Sequence, residues 1–338
     1  MKVAAIASAL SVSAGSLALS AAVHLLPSGT AGSSVTNQLA AYTTALTSTT
    51  RGNGGVAVSG RFGHAPHVRF PASNPPGALV ADTVIRGTGP VLHKTDAFAM
   101  NLVAYKWHGH STKLLQNTFR TGGPELATEP LLRGLVIALT GKKIGSRMLA
   151  ILPPGYAFGS TGNPQAGVGP DDTLVFVIDL IEKFPARASA HGVPASSGGG
   201  SLPTVTVGAG RAGPAVRIPR TPPPAGLIVK TLIQGAGSRV ARHQLVVVQY
   251  VGVNWRTGKV FDATWSRSTP FGFRIAVKPA QVIAGFETGL LGVRTGSRVL
   301  MVIPPSEGYG TAGNQQAGIR GTDTIVFVVD VLGTVNSS

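Results

Sequence analysis

The side chains able to move a proton, hold a metal or attack a carbonyl are scarce in this 338-residue chain: eight His, thirteen Asp and Glu, and no Cys. Without cysteine there is no disulfide, thiolate nucleophile, cysteine metal site or lipid anchor on an N-terminal cysteine. The histidines (His24, His64, His67, His93, His108, His110, His191 and His243) form no pair at helical ligand spacing, and His108 with His110 reads as a solvated loop rather than a metal site. No Walker or dinucleotide glycine pattern joins a strand to a helix, and no hydrolase elbow is visible. The expected cofactor set is therefore empty, and so is the metal set. What remains is an acid among rings. No carboxylate precedes Asp82, and only Asp262 lies between Glu182 and Glu287, directly after Phe261 in VVVQYVGVNWRTGKVFDATW, residues 246–265. Taken singly, Tyr250, Phe261, Phe273, Phe286 and Phe327 read as core residues of a small sheet. Asp262 reads differently, because a carboxylate on an apolar strand costs free energy unless it is hydrogen-bonded or exposed.

The elements that would position these residues are short. Leu227–Ile233, Leu245–Val253, Arg298–Ile303 and Thr324–Leu332 are β-branched runs bounded by Gly, Pro or Asn and read as strands. A turn through Arg256 to Gly258 brings Tyr250 beside Phe261 and Asp262. Ile283, Phe286, Leu290 and Leu291 have helical spacing over about two turns, ended by Gly292. One short helix on an antiparallel sheet makes an α+β domain. Pro304 and Pro305 stop the preceding strand, and residues 308–321, rich in glycine, are expected to form a long surface loop.

The chain contains this pattern twice. Laying Gly145–Leu180 on Gly296–Val331 without a gap matches 18 of 36 positions, VRFP at 68–71 faces VRIP at 216–219, and Gly87 and Gly89 face Gly235 and Gly237. Residues 1–31 carry one cation, Lys2, then an uncharged Ala, Leu, Val and Ser run with small residues before a cut after Ala31, and read as a signal peptide, or as a membrane anchor if left uncleaved. Residues 32–55 read as a disordered spacer, 56–184 as the first module, 185–213 as a Gly/Ser/Pro-rich linker containing SSGGGS, and 214–335 as the second module. The expected location is secreted or in the cell envelope. The net charge of +16 reflects scarce acids rather than a basic helix. Without stacking aromatics among the cations it implies no specific nucleic acid, and an anionic envelope polymer is the partner it suggests.

PFGF at 270–273, VIAGFETGL at 282–290, IPPSEGYG at 303–310 and DTIVFVVD at 323–330 follow the Phe261–Asp262 stretch in order, and together they resemble the FKBP-type peptidyl-prolyl cis-trans isomerases. The resemblance covers about residues 226–335. It implies two modules, each a twisted antiparallel sheet wrapped around one short helix. It implies activity on proline-containing unfolded or nascent exported polypeptides, sensitivity to macrolide-type inhibitors, and a monomer. By the same resemblance a proline ring enters a pocket walled by Tyr250, Phe261, Phe271 and Phe327, with Phe286 as the floor where many relatives have Trp. Val282 and Ile283 start the helix, the N–H of Ile283 being a donor to substrate. Tyr309 supplies a second donor, Asp262 the buried carboxylate, and Ala317 with Ile319 the flexible loop above. A non-enzymatic peptide-binding chaperone and a basic envelope-associated binding protein are the alternatives.

On the repeat, Tyr250 is expected to face Tyr105, Phe327 to face Phe176, Phe261 to face Leu115, Asp262 to face Gln116, Phe286 to face Leu135 and Tyr309 to face Phe158, with Leu131 and Leu132 for Val282 and Ile283. Nothing replaces PFGF. The first module should fold, since the swaps broadly keep volume and pattern, but isomerise poorly.

Overall fold

The computed structural model describes residues 50–51, 54–128, 131–195, 200–206 and 213–336. The expected signal peptide and nearly all of the expected spacer lie outside the described residues. The chain divides into two compact units on either side of the Pro185–Ala186 junction.

The first unit holds β1 (Val80–Ile85), β2 (Ala97–His108), β3 (Ser111–Asn117), β4 (Glu125–Ala127), α1 (Arg133–Leu139), β5 (Arg147–Leu152) and β6 (Thr173–Phe184). The second holds β7 (Ile228–Gln234), β8 (Leu245–Asn254), β9 (Val260–Ala263), α2 (Thr264–Arg267), β10 (Phe271–Arg274), α3 (Ala284–Leu290), β11 (Arg298–Ile303) and β12 (Ile325–Val335). The two antiparallel sheets repeat one order, β1-β5-β6-β2-β3 and β7-β11-β12-β8-β9, with β4 and β10 pairing on β2 and β8. All four strands expected in the second module are present within one to three residues at each end.

The apolar runs are continuous because both faces of each sheet are covered. Every residue of β8 and of β11 is buried. Alternate residues divide between two clusters: Val246, Val248 and Tyr250 face α3, while Val251 and Val253 face the other way. In the second unit part of the cover on the outer face, Leu202 to Thr206, comes from sequence that composition marks as linker. Thr204–Thr206 pairs with Ala215–Arg217, and Leu202, Val205, Val216 and Ile218 pack on Leu300, Val302, Val326 and Val328. In the first unit Ala57–Ser59 pairs with His67–Arg69, and Val56, Val58, Phe62, Val68 and Phe70 do the same on Leu149, Ile151, Val175 and Val177. The repeated VRFP and VRIP therefore belong to these outer hairpins. Residues 186–195 are also structured: Val193–Pro194 adds an edge strand to β7. Composition missed this, because one valine on every second residue is enough to bury a hairpin on an existing apolar sheet.

A buried ion pair in each sheet fastens an adjoining segment, the outer hairpin in the first unit and the stretch before Val193–Pro194 in the second. Arg147 holds Asp179 bidentately at 2.6 and 2.7 Å, and Arg298 holds Asp330 at 2.6 and 2.8 Å. The free lone pairs take backbone donors, Gly63 N on Asp179 and Ala190 N on Asp330, both at 2.7 Å. Such pairing is what allows a carboxylate to be fully buried.

Candidate active site

In the second module the apolar positions of β8, β10, β12 and α3 converge on one ring cluster. Tyr250 lies edge-on to Phe271, Phe286 and Phe327, with centroids 5.9, 6.1 and 5.8 Å apart. Phe327 also meets Phe261 at 5.5 Å and Phe286 at 5.1 Å. These are the separations and tilts favoured by ring quadrupoles. Tyr250, Phe286 and Phe327 are fully buried, whereas Phe261, Phe271, Ile283, Tyr309 and Ala317 are only half-buried around them. The arrangement is a closed aromatic floor with an apolar rim open to solvent. Gly252, opposite both Asp262 and Phe327 in the sheet, must lack a side chain: a Cβ there would fall 2.6 Å from the Phe261 ring and 2.8 Å from that of Phe327.

Asp262 is 8% exposed and has both oxygens occupied. The Tyr250 hydroxyl donates to Oδ2 and Arg267 Nη1 donates to Oδ1. Arg267 Nη2 lies 3.5 Å from the Tyr250 hydroxyl, closing a triangle. Burial, and then the Asp262 carboxylate, push the Tyr250 hydroxyl far above its ordinary range, so it remains a protonated donor. Burial works against the Arg267 charge, but the hydrogen bond and charge of Asp262 outweigh it and the guanidinium pKa is raised. A carboxylate so engaged is neither a base nor a nucleophile; it fixes charge and geometry. Arg267 is the functional residue that sequence reasoning missed. Its signal was faint, a cation five positions after the acid, and only the turn of α2 brings it back to Asp262.

The sequence-predicted residues occupy one region. Val282 is buried in the same cluster, and Ile283 is the N-cap of α3, its carbonyl accepting from Phe286 N and Glu287 N at 3.1 Å each. Its own N–H precedes the first intrahelical bond. Residues 308–321 form the expected surface loop, built of compact turns. They wind through 3-10 turns at Gly310–Ala312 and Gln315–Ala317, and the Asn314 side chain accepts from Ala317 N at 3.1 Å. Asn314 and Ile319 exchange backbone bonds at 2.8 and 2.9 Å. Tyr309 is hydrogen-bonded to Asn314, and burial raises its hydroxyl pKa, so it too stays protonated. Ile319 is buried below the rim and Ala317 is on it.

The first module's counterparts follow from register, and register corrects one expectation. Tyr250 pairs with Val329 in β12, and its N–H donates to Thr264 Oγ1 at 2.8 Å. The residue so placed in the first module is Leu102, opposite Ile178 and donating to Thr118 Oγ1 at 2.8 Å. Tyr105 instead faces the outer cover, 5.2 Å from Phe70, because an odd offset along a strand turns a side chain to the other face. The segment between Thr118 and Leu131, which lacks PFGF, still forms a strand, and β4 puts Glu125 opposite Met100 as β10 puts Phe271 opposite Val248. Gln116, in the place of Asp262, donates to Glu125 at 2.8 Å, while its own Oε1 is buried without a partner among the described residues. Leu115, Leu131, Leu132, Leu135, Phe158 and Phe176 complete this cluster.

Comparison with known proteins agrees with this geometry. The sequence model described as FKBP-type peptidyl-prolyl cis-trans isomerase matches residues 106–181 and 237–332, about half of the chain. An FK506-binding protein of Streptomyces anulatus is 38% identical over 119 residues, 35% of this chain and 94% of its own. A probable FK506-binding protein of Corynebacterium glutamicum is 33% identical over 119 residues, 35% of this chain and 96% of its own. The FKBP-type peptidyl-prolyl cis-trans isomerase FkpA of Escherichia coli is 36% identical over 107 residues, 32% of this chain and 37% of its own.

Proposed function

The chain belongs to the FKBP-type peptidyl-prolyl cis-trans isomerase family, and from that premise we propose that its second module isomerises X–Pro bonds of exported polypeptides while its first module binds peptide with little or no turnover. One observation carries the assignment: the ring cluster of Tyr250, Phe261, Phe271, Phe286 and Phe327 surrounds a carboxylate held by Tyr250 and Arg267, and the first module keeps only Phe176 of that set.

The chemistry fits such a site. Rotation about an X–Pro bond is opposed by ~18–20 kcal/mol of amide resonance, and no proton has to move. A twisted amide has lost its resonance dipole, so a water-poor aromatic surface favours it over the planar form. In this reading the proline ring enters at the half-buried rim of Phe261, Phe271 and Tyr309, above the buried Phe286. The Ile283 N–H and the Tyr309 hydroxyl hold the flanking carbonyls, each contributing on the order of 2–4 kcal/mol if used only as the bond turns. Asp262, fixed by two donors, lies beside the amide.

Export is supported by the lightly charged leader of residues 1–31, and no helix among the described residues is long and apolar enough to cross a membrane. An anionic envelope partner is supported by the net charge of +16, with Asp262, Glu287, Asp323 and Asp330 of the second module each engaged internally. Retention on an anionic column that collapses between ~50 and 200 mM salt would bear this out. For the enzyme, a protease-coupled proline-peptide assay on the full chain decides. Catalysis above the uncatalysed rate, lowered about tenfold by Asp262→Ala, is the expected result, and turnover at the uncatalysed rate would leave a binding protein.

A further inference from the structure

Arg267, which completes the carboxylate triangle, stands on α2, a single turn with no side-chain cap at its start. Its first residue is anchored to β8, Thr264 Oγ1 accepting from Tyr250 N at 2.8 Å and donating to the Tyr250 carbonyl at 3.2 Å, while the far end that carries Arg267 depends on what packs around the turn. Its other side chain of size, Trp265, points away from the aromatic site into the outer cluster, is 6% exposed, and packs with Val205 and Val216 of the covering hairpin. Gly213, at the entrance to the hairpin's second strand, lies flat against the indole: a Cβ built on it would fall 2.7 Å from Cδ2 and 2.8 Å from Cε3. Its φ of +66° adds a second reason for glycine. Farther along the cover, Trp255 Nε1 donates to the Thr221 carbonyl at 3.2 Å, fastening the same segment to the end of β8. The turn is thus gripped on its outer side by the hairpin and on its inner side by Asp262.

The first module shows the arrangement without the site. Phe119 follows Thr118 as Trp265 follows Thr264, but its ring lies 5.7 Å from the buried Arg147 guanidinium, the chain there forms turns rather than a helix, and Gln116 replaces the acid that an arginine would hold.

We propose that the outer hairpin of the second module is a positioning element for isomerisation, acting through Gly213 and Trp265 on α2 and so on the grip of Arg267 on Asp262 and Tyr250. The hairpin precedes residues 237–332, the second segment that matches the family model. The inference rests on the assignment of the second module's ring cluster as the active site.

The test uses the full chain and reads kcat and KM for a proline tetrapeptide per folded molecule, with the folded fraction taken from near-ultraviolet circular dichroism. Gly213→Val should lower kcat about tenfold while KM moves little, since the apolar walls are untouched. Adding Trp265→Phe, which makes room for the new side chain, should recover a several-fold part of that loss. Should Gly213→Val not fold, Trp255→Phe, which removes the N–H to Thr221 and part of a buried ring, decides instead with an expected loss of about two- to threefold per folded molecule. Asp262→Ala is measured alongside. Activity lowered by Asp262→Ala but unchanged with Gly213→Val, or with Trp255→Phe where that variant decides, overturns the positioning role alone. Wild-type activity with Asp262→Ala overturns the site assignment and this inference with it.

Discussion

In the second module the strand beside the central β12 carries Tyr250, which meets a carboxylate, a guanidinium and three phenylalanine rings; in the first, the same strand carries Leu102, and Gln116 bonds to Glu125 where the second module has Asp262 and Phe271. Sheet order, helix, outer hairpin and buried Arg–Asp fastening are common to both. The comparison separates two kinds of residue. Phe176 and Phe327, both fully buried on the central strand, are kept because the fold needs a large ring between sheet and helix. Tyr250, Phe261, Asp262, Arg267 and Phe271 can be exchanged for residues of similar reach without disturbing the sheet, so what they supply in the second module is chemistry rather than architecture. Even the glycine follows: with Leu115 in place of Phe261, the first module has room for Ala104 where the second needs Gly252.

The strongest challenge to that separation is to remove the shared ring. Phe327→Ala and Phe176→Ala should each cost about 3–5 kcal/mol in their own module, read as a shift of one of two urea transitions. A much smaller loss in either would show that the ring belongs to a site and not to the core. The modules should next differ in their response to pH. Burial pushes the Glu182 carboxyl from its ordinary 4.5 up to about 7, and Gly333 occupies the matching place in the second sheet. The folded first module therefore keeps a proton that the unfolded chain has released, and its stability should fall as pH rises from about 4.5 to about 7, then level off. We expect a loss of about 2 kcal/mol, allowing for the water that still reaches the side chain. Glu182→Gln should flatten the curve of the first transition and leave the second unchanged.

Catalysis should be more one-sided. Asp262→Ala should lower kcat/KM about tenfold, ~1.4 kcal/mol of transition-state stabilisation, while Gln116→Ala changes nothing measurable. An equal loss from both would place activity in both modules. The smallest expected effect is a gain: Phe286→Trp enlarges the floor and should raise kcat/KM about two- to threefold, at ~1 kcal/mol of stability for the added volume in a fully buried position. Leu135→Trp in the first module should destabilise without any gain in rate.

Much of this was legible in the sequence. Short β-branched runs, Gly and Pro boundaries and a two-turn helical spacing gave the strands and α3 within a few residues, because those patterns act locally. The repeat was legible as identity at fixed spacing. The rings and Asp262 were legible as a set, since an acid among apolar residues is costly wherever the chain folds. Three features were not. The outer hairpins are too short and too polar to announce themselves, and only the sheet they cover explains them. Arg267 was one cation among twenty-nine Lys and Arg until α2 turned it back. Tyr105 looked like the partner of Tyr250 until register put it on the opposite face.

The sequence by itself determined that this chain holds two copies of one α+β module, which of the two carries a ring-lined carboxylate, and that no thiol chemistry is available to it. Only the tertiary structure decided which side chains share a face, because in a sheet a shift of one residue reverses every contact. It likewise decided that the site's carboxylate is held from behind, because Trp265 and Gly213 meet only after some fifty intervening residues have folded into the sheet between them.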